Sequence, residues 1–222
     1  MQLHLESPGD IKADFAETSP KVHVINAPRV PGEIGIWIFI LGDMLAFAVL
    51  FCLYLRDRSP AAALFNSSQE ALSVPYGVFN TLLLLTASLC VVFGVNAMRN
   101  RTCGRIAIKT KVSLKNRATV LMAAAIGCGL LFCAVKVVEY GEKITAGIVP
   151  TTNSFWLYYY ILTGFHLFHL ILGLGVLVFC LMHSQRDHLS SQRFQLIEGA
   201  GCFWHMVDLL WIVLFPLLYL VK

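Results

Sequence analysis

Residues 155–183 read FWLYYYILTGFHLFHLILGLGVLVFCLMH, with no Asp, Glu, Lys or Arg among them. A helix rises about 1.5 Å per residue, so about 20 apolar residues cross a hydrocarbon core of roughly 30 Å. This run is long enough to tilt within a bilayer or to project beyond it. Backbone polar groups at that depth find no water, and a helix satisfies them internally. Four further apolar blocks lie outward from it, at residues 34–55, 75–98, 118–140 and 198–221. The expected fold is therefore all-α, a polytopic membrane bundle of five transmembrane helices over residues 34–222. A polar tail at residues 1–33 precedes it. Loops are expected at 59–74 and 99–117, a short turn at 141–154, and a polar loop from about 184 to 195. No internal repeat is visible.

Composition agrees with this reading. Of 222 residues, 57% are hydrophobic and only 14% charged, and the mean hydropathy is +0.70. A soluble domain of this length needs far more polar surface. The net charge of +4 is too weak to point to nucleic acid as a partner. The seven cysteines are irregularly spaced, form no CxxC and fall mostly in apolar blocks. They read as small packing residues rather than disulfides or metal ligands. No apolar run precedes residue 34, so the first span is expected to serve as the insertion signal.

Lysine and arginine positions set the expected orientation. Lys12, Lys21 and Arg29 lie in the tail, seven more lie between Arg99 and Arg117, and Arg186 and Arg193 lie between the last two spans. The other side holds Arg56, Arg58, Lys143 and Lys222. Twelve against four predicts a cytoplasmic N-terminus and an outside C-terminus. The basic stretch reads either as this topology determinant alone or as a patch for anionic lipid or an acidic partner.

Polar residues inside the spans need a reason to be there, since a charge at mid-bilayer costs roughly 2.5–3.5 kcal/mol. Asp43 is near the middle of the first span. It reads as a proton-handling or lipid-contacting carboxyl, or as a packed, protonated donor between helices. His166 and His169 are three apart on the fourth span and share a face, which Gly173 continues. Glu198, His205 and Asp208 recur along one face of the fifth span. A short loop makes these two spans antiparallel neighbours, so the five residues are expected to form an interhelical polar seam. Lys136 and Glu139 are spaced to pair near the outer end of the third span. Haem or metal ligation by His166, His169 or His205 is the rival reading. The spacing disfavours it, because only the last two spans offer histidines and CxxCH is absent. A small proton-coupled transporter built around Asp43 is a further rival.

These residues also carry a resemblance. Glu198 followed by Trp204-His205-Met206-Val207-Asp208-Leu209-Leu210-Trp211, Thr163-Gly164-Phe165-His166-Leu167-Phe168-His169 with Gly173, Glu139-Tyr140, and Asn80-Thr81 resemble, in order, motifs of subunit III of the haem-copper oxidases. Asp43 stands where many members have Glu, and Lys136 where the family has glutamine. The form resembled is the five-helix bacterial one. Pro31-Gly32-Glu33-Ile34-Gly35-Ile36-Trp37 with Gly42-Asp43-Met44 is similar to the branch associated with nitric oxide reductase. The resemblance implies a non-catalytic chain of the bacterial inner membrane that binds no metal or haem itself. It implies a partner catalytic subunit I carrying haem and copper or iron, structural phospholipid in a cleft between helices, and support of proton uptake.

Overall fold

The computed structural model describes residues 34–103, 108–186 and 190–221; the polar tail at 1–33 lies outside them. The described chain is helical. It runs through α1 (Ile34–Arg58), a 3-10 turn (Ser59–Ala61), α2 (Ala62–Gln69), α3 (Val74–Cys103), α4 (Ile108–Thr145), α5 (Ser154–Ser184), α6 (Ser191–Phe215) and a π turn (Pro216–Leu220). Five of these helical segments are long and apolar enough to cross a membrane, and they form the five spans of a multi-pass bundle. Arg99 and Arg117 mark one end, here termed the basic end. The opposite end is termed the capped end.

Two expected loops are largely helical. Residues 59–74 were expected to be irregular, but Pro60 suits a first turn and the Ala61–Phe65 run favours helix. The helix they make buries Phe65, Ser68 and Gln69 against the bundle. The described parts of the basic stretch continue α3 to Cys103 and begin α4 at Ile108, residues 104–107 lying outside the described residues, since lysine and arginine are good helix formers once outside the hydrocarbon. At the capped end α4 stops at Gly147, whose φ of +77° is a left-handed conformation that suits glycine. Ile148 N–H donates to the Lys143 carbonyl at 2.9 Å and Gly147 N–H to that of Ile144 at 3.0 Å. This is the paired bonding of a Schellman stop. Asn153 then caps α5, accepting from Trp156 N–H at 3.0 Å.

Helices α3, α4, α5 and α6 pack in a closed ring, and α1 lies outside it against α5 and α6. Only 11% of the first span is buried, which makes α1 the peripheral element. Close approach within the ring depends on glycine. A Cβ at Gly173 would lie 3.0 Å from Trp204 Cε3, and one at Gly129 would lie 2.7 Å from Leu174 Cδ2 and 3.1 Å from Trp204 Cη2. The Trp204 ring is thus clasped between α4 and α5.

The capped end closes through backbone carbonyls. Pro216 interrupts the α-helical ladder and the chain ends in a π turn, which leaves terminal carbonyls in need of donors. Arg58 donates to the Val221 carbonyl at 2.7 Å, Gln69 to that of Leu218 at 3.1 Å and Tyr54 to that of Leu217 at 3.3 Å. Tyr158 hydroxyl donates to Asp57 at 2.6 Å, and Asn153 donates to Ser68 at 3.0 Å. The end of α1 and the short α2 are tied in this way to α5 and α6.

Candidate functional site

Asp43 is in the tenth position of α1, and His169 is midway along α5. Antiparallel in depth, they meet: His169 Nε2 lies 3.3 Å from Asp43 Oδ2. The histidine is 3% exposed and the aspartate 15%. His169 Nδ1 lies 2.8 Å from the Phe165 carbonyl oxygen. A carbonyl only accepts, so Nδ1 carries the hydrogen. Nε2 is left facing the carboxylate at ion-pair distance, while Asp43 Oδ2 makes no hydrogen bond among the described residues. The rings of Phe47, Phe165 and Phe168 surround the imidazole with centroids 4.6–5.5 Å away. Toward the basic end an apolar cleft of about 480 Å³ opens between α1, α5 and α6, lined by Phe39, Leu172, Val176 and Phe203 among others. Asp43 and His169 stand about one turn beyond its Phe39 and Leu172. The sequence reading placed both residues but did not pair them. Their equal depth was the signal.

The seam expected between α5 and α6 does not form as such. Glu198 pairs with Arg99 of α3, and His205 Nδ1 lies 2.6 Å from Ser88 Oγ of α3. Their two-turn spacing does put them on one face, but that face packs on α3. His166 turns inward, with its ring 5.2 Å from Trp211 and 5.7 Å from Phe132, while His169 turns to α1. Three residues along a helix leave side chains about 60° apart, enough to send the two histidines to different neighbours. Asp208 is buried beside Ser88, whose hydroxyl is its one hydrogen-bonding neighbour among the described residues. Among the described residues, no three His, Cys, Asp or Glu side chains gather as a metal-ion site.

Nearer the capped end, Lys136 and Glu139 lie within the ring, 1% and 0% exposed, with Nζ 2.9 Å from Oε2. Lys136 also donates to the hydroxyls of Tyr219 at 3.0 Å and Tyr159 at 3.3 Å. Tyr219 hydroxyl donates to Glu139 Oε1 at 2.6 Å. Four rings face the ammonium: Tyr159 at 5.1 Å, Trp211 at 5.2 Å, Tyr140 at 5.5 Å and Tyr219 at 5.6 Å. All three ammonium hydrogens have partners, and the aromatic faces supply further attraction. Tyr159 and Tyr219 gave no signal in the sequence because their neighbours come from other helices.

Residues 24–222 match the family model for cytochrome c oxidase subunit III. The chain belongs to the cytochrome c oxidase subunit III family. It is 29% identical to cytochrome c oxidase subunit 3 of Bacillus sp. (strain PS3), over 92% of this chain and 94% of that one. It is 30% identical to cytochrome c oxidase subunit 3 of Thermostichus vulcanus, over 99% and 98% of the two chains. A probable quinol oxidase subunit 3 of Staphylococcus haemolyticus is 23% identical over 85% and 88%. The chain is thus subunit III of a terminal oxidase complex, with the catalytic subunit I as its partner. In this subunit III the motif residues converge from separate helices. Thr81 of α3 accepts from Trp211 Nε1 of α6 at 3.0 Å, and Thr163 of α5 lies 2.6 Å from the Tyr140 hydroxyl of α4.

Proposed function

We propose that this chain is a non-catalytic subunit III of the bacterial inner membrane. It binds phospholipid and supports proton delivery to a catalytic subunit that holds the haem and copper. The observation that carries this reading is the Asp43–His169 pair at mid-span, immediately beyond a large apolar cleft. The cleft has the size and lining to take acyl chains, and the pair is a protonatable group held beside them. The charge asymmetry supports a cytoplasmic basic end and an outside capped end.

The test is turnover against time for the purified complex at matched haem content, wild type against Asp43→Asn. The amide keeps the shape and removes the titrating proton. A mutant complex that assembles fully but loses activity faster during sustained turnover supports proton supply. Superimposable decay curves sink that role and leave Asp43 as a packing residue. Haem absorbance retained by the separated chain, and lost on His166→Ala or His205→Ala, would overturn the non-catalytic reading.

A second reading takes nitric oxide as the acceptor of the complex and rests on the Pro31–Trp37 and Gly42–Met44 segments. Affinity purification in mild detergent separates the two. Copper in the co-purifying catalytic subunit supports the oxidase, and non-haem iron without copper supports the nitric oxide reductase.

A further inference from the structure

Around Trp211 the interior of the ring holds polar groups that are short of hydrogen-bond partners among the described residues. Asn80 on α3 is 0% exposed, His166 on α5 is 0% and Asp208 on α6 is 4%. Neither amide atom of Asn80 and neither ring nitrogen of His166 has a hydrogen-bond partner among the described residues, and the Asp208 carboxylate has beside it only the Ser88 hydroxyl, which also bonds His205 Nδ1. Trp211 connects their places. Its ring lies against His166, its Nε1 donates to Thr81, the residue beside Asn80, and Asp208 is one turn before it on the same helix. All three are at membrane depth, where lipid offers neither donor nor acceptor. Each such group left bare costs several kcal/mol. Four unsatisfied atoms, beside a carboxylate with one shared hydroxyl, are too many to leave dry in a stable core.

We propose that ordered water is bound in the ring interior around Trp211, held by Asn80, His166 and Asp208. The donor and acceptor set suits it. Asp208 supplies acceptors, Asn80 supplies both kinds, and a neutral His166 supplies one of each. Buried water makes about three hydrogen bonds, so a small cluster satisfies three side chains on three helices at once. The cluster lies between two groups already bonded within the protein. Toward the basic end is His205–Ser88, beside Asp208. Toward the capped end is the Lys136–Glu139–Tyr219 group, whose ammonium faces the same Trp211 ring. Water there joins the two into one polar column along α6, inside an otherwise apolar bundle. This inference concerns the chain's own interior and does not depend on the proton-supply role of Asp43.

Hydroxyl-radical footprinting of the full chain in lipid nanodiscs, alone or with its partner subunits, tests it. Radicals formed from bound water label the side chains beside that water, even where bulk solvent is excluded. Trp211 and Phe132, both 0% exposed, should be oxidised. Phe155, also 0% exposed but with no unsatisfied polar side chain among its ring contacts, should not. After mixing with oxygen-18 water, uptake of the heavy label at Trp211 should lag behind that at Tyr76 on the exposed capped end. Asp208→Asn should keep the Trp211 labelling and Asp208→Leu should lose it. Labelling of Trp211 and Phe132 no greater than that of Phe155 in the wild type overturns the proposal, whether or not the leucine variant accumulates. So would an electron cryomicroscopy map of the complex showing Asp208 and His166 bonded directly to each other or to Asn80.

Discussion

Lys136 shows what one residue demands of its surroundings. A buried ammonium is tolerable only with its charge matched and its hydrogens bonded, and Glu139, Tyr159 and Tyr219 provide this. Removing one partner of such a pair costs about 3–5 kcal/mol, whereas replacing both with apolar residues is often neutral. Lys136→Met should therefore lower the temperature at which the purified complex loses this subunit. Lys136→Met combined with Glu139→Leu should restore most of the loss. A double variant as unstable as the single would show that the tyrosines, not the ion pair, set the stability. Gly173 makes the opposite demand, for absence of a side chain. Gly173→Ala brings a methyl within 3.0 Å of Trp204 Cε3, and overpacking of this kind costs about 1–3 kcal/mol. Because that atom belongs to the six-membered ring of the indole, Trp204→Phe in the same chain should relieve part of it. Thermal unfolding of the two variants measures the recovery, and no recovery would place the strain elsewhere.

At the scale of the element, α6 ends differently from the other long helices. Its last carbonyls are capped by Arg58, Gln69 and Tyr54 from the α1–α2 corner. A hydrogen bond from a charged donor is worth about 1.5–3 kcal/mol, and Arg58 is mostly buried in making it. Arg58→Met should raise amide hydrogen exchange across residues 217–221 while leaving residues 198–212 protected. Uniform loss of protection along α6 would mean that the corner holds the whole helix rather than its end. The same corner explains why residues 59–74 fold. In sequence they look like a polar connection, yet Phe65 and Gln69 have partners on α1, α5 and the end of α6. The partners on α5 and α6 are distant in the chain, so most of the tertiary gain that stabilises α2 was invisible locally.

For the whole molecule, five spans set residues 34 and 221 at opposite ends of the bundle, and the charge bias predicts a cytoplasmic basic end. A reporter fused after Lys222 should report an outside location, and a cytoplasmic signal would reject the assigned orientation. The spans themselves were legible because the bilayer imposes one length and one polarity on every crossing segment, and 155–183 meets both without help from its neighbours. The family was legible too, since its motifs are short and ordered along the chain. Which polar residues meet was not. Asp43, His166, His169, His205 and Asp208 could all be named from depth and polarity. Their partners depended on rotation about each helix axis, on α1 packing outside a ring of four, and on the α6 face that carries Glu198 and His205 turning to α3 rather than α5. A helical period specifies which residues share a face. Only packing against the other helices, governed here by glycines at Trp204 and by the volume of the aromatic core, decides what that face meets.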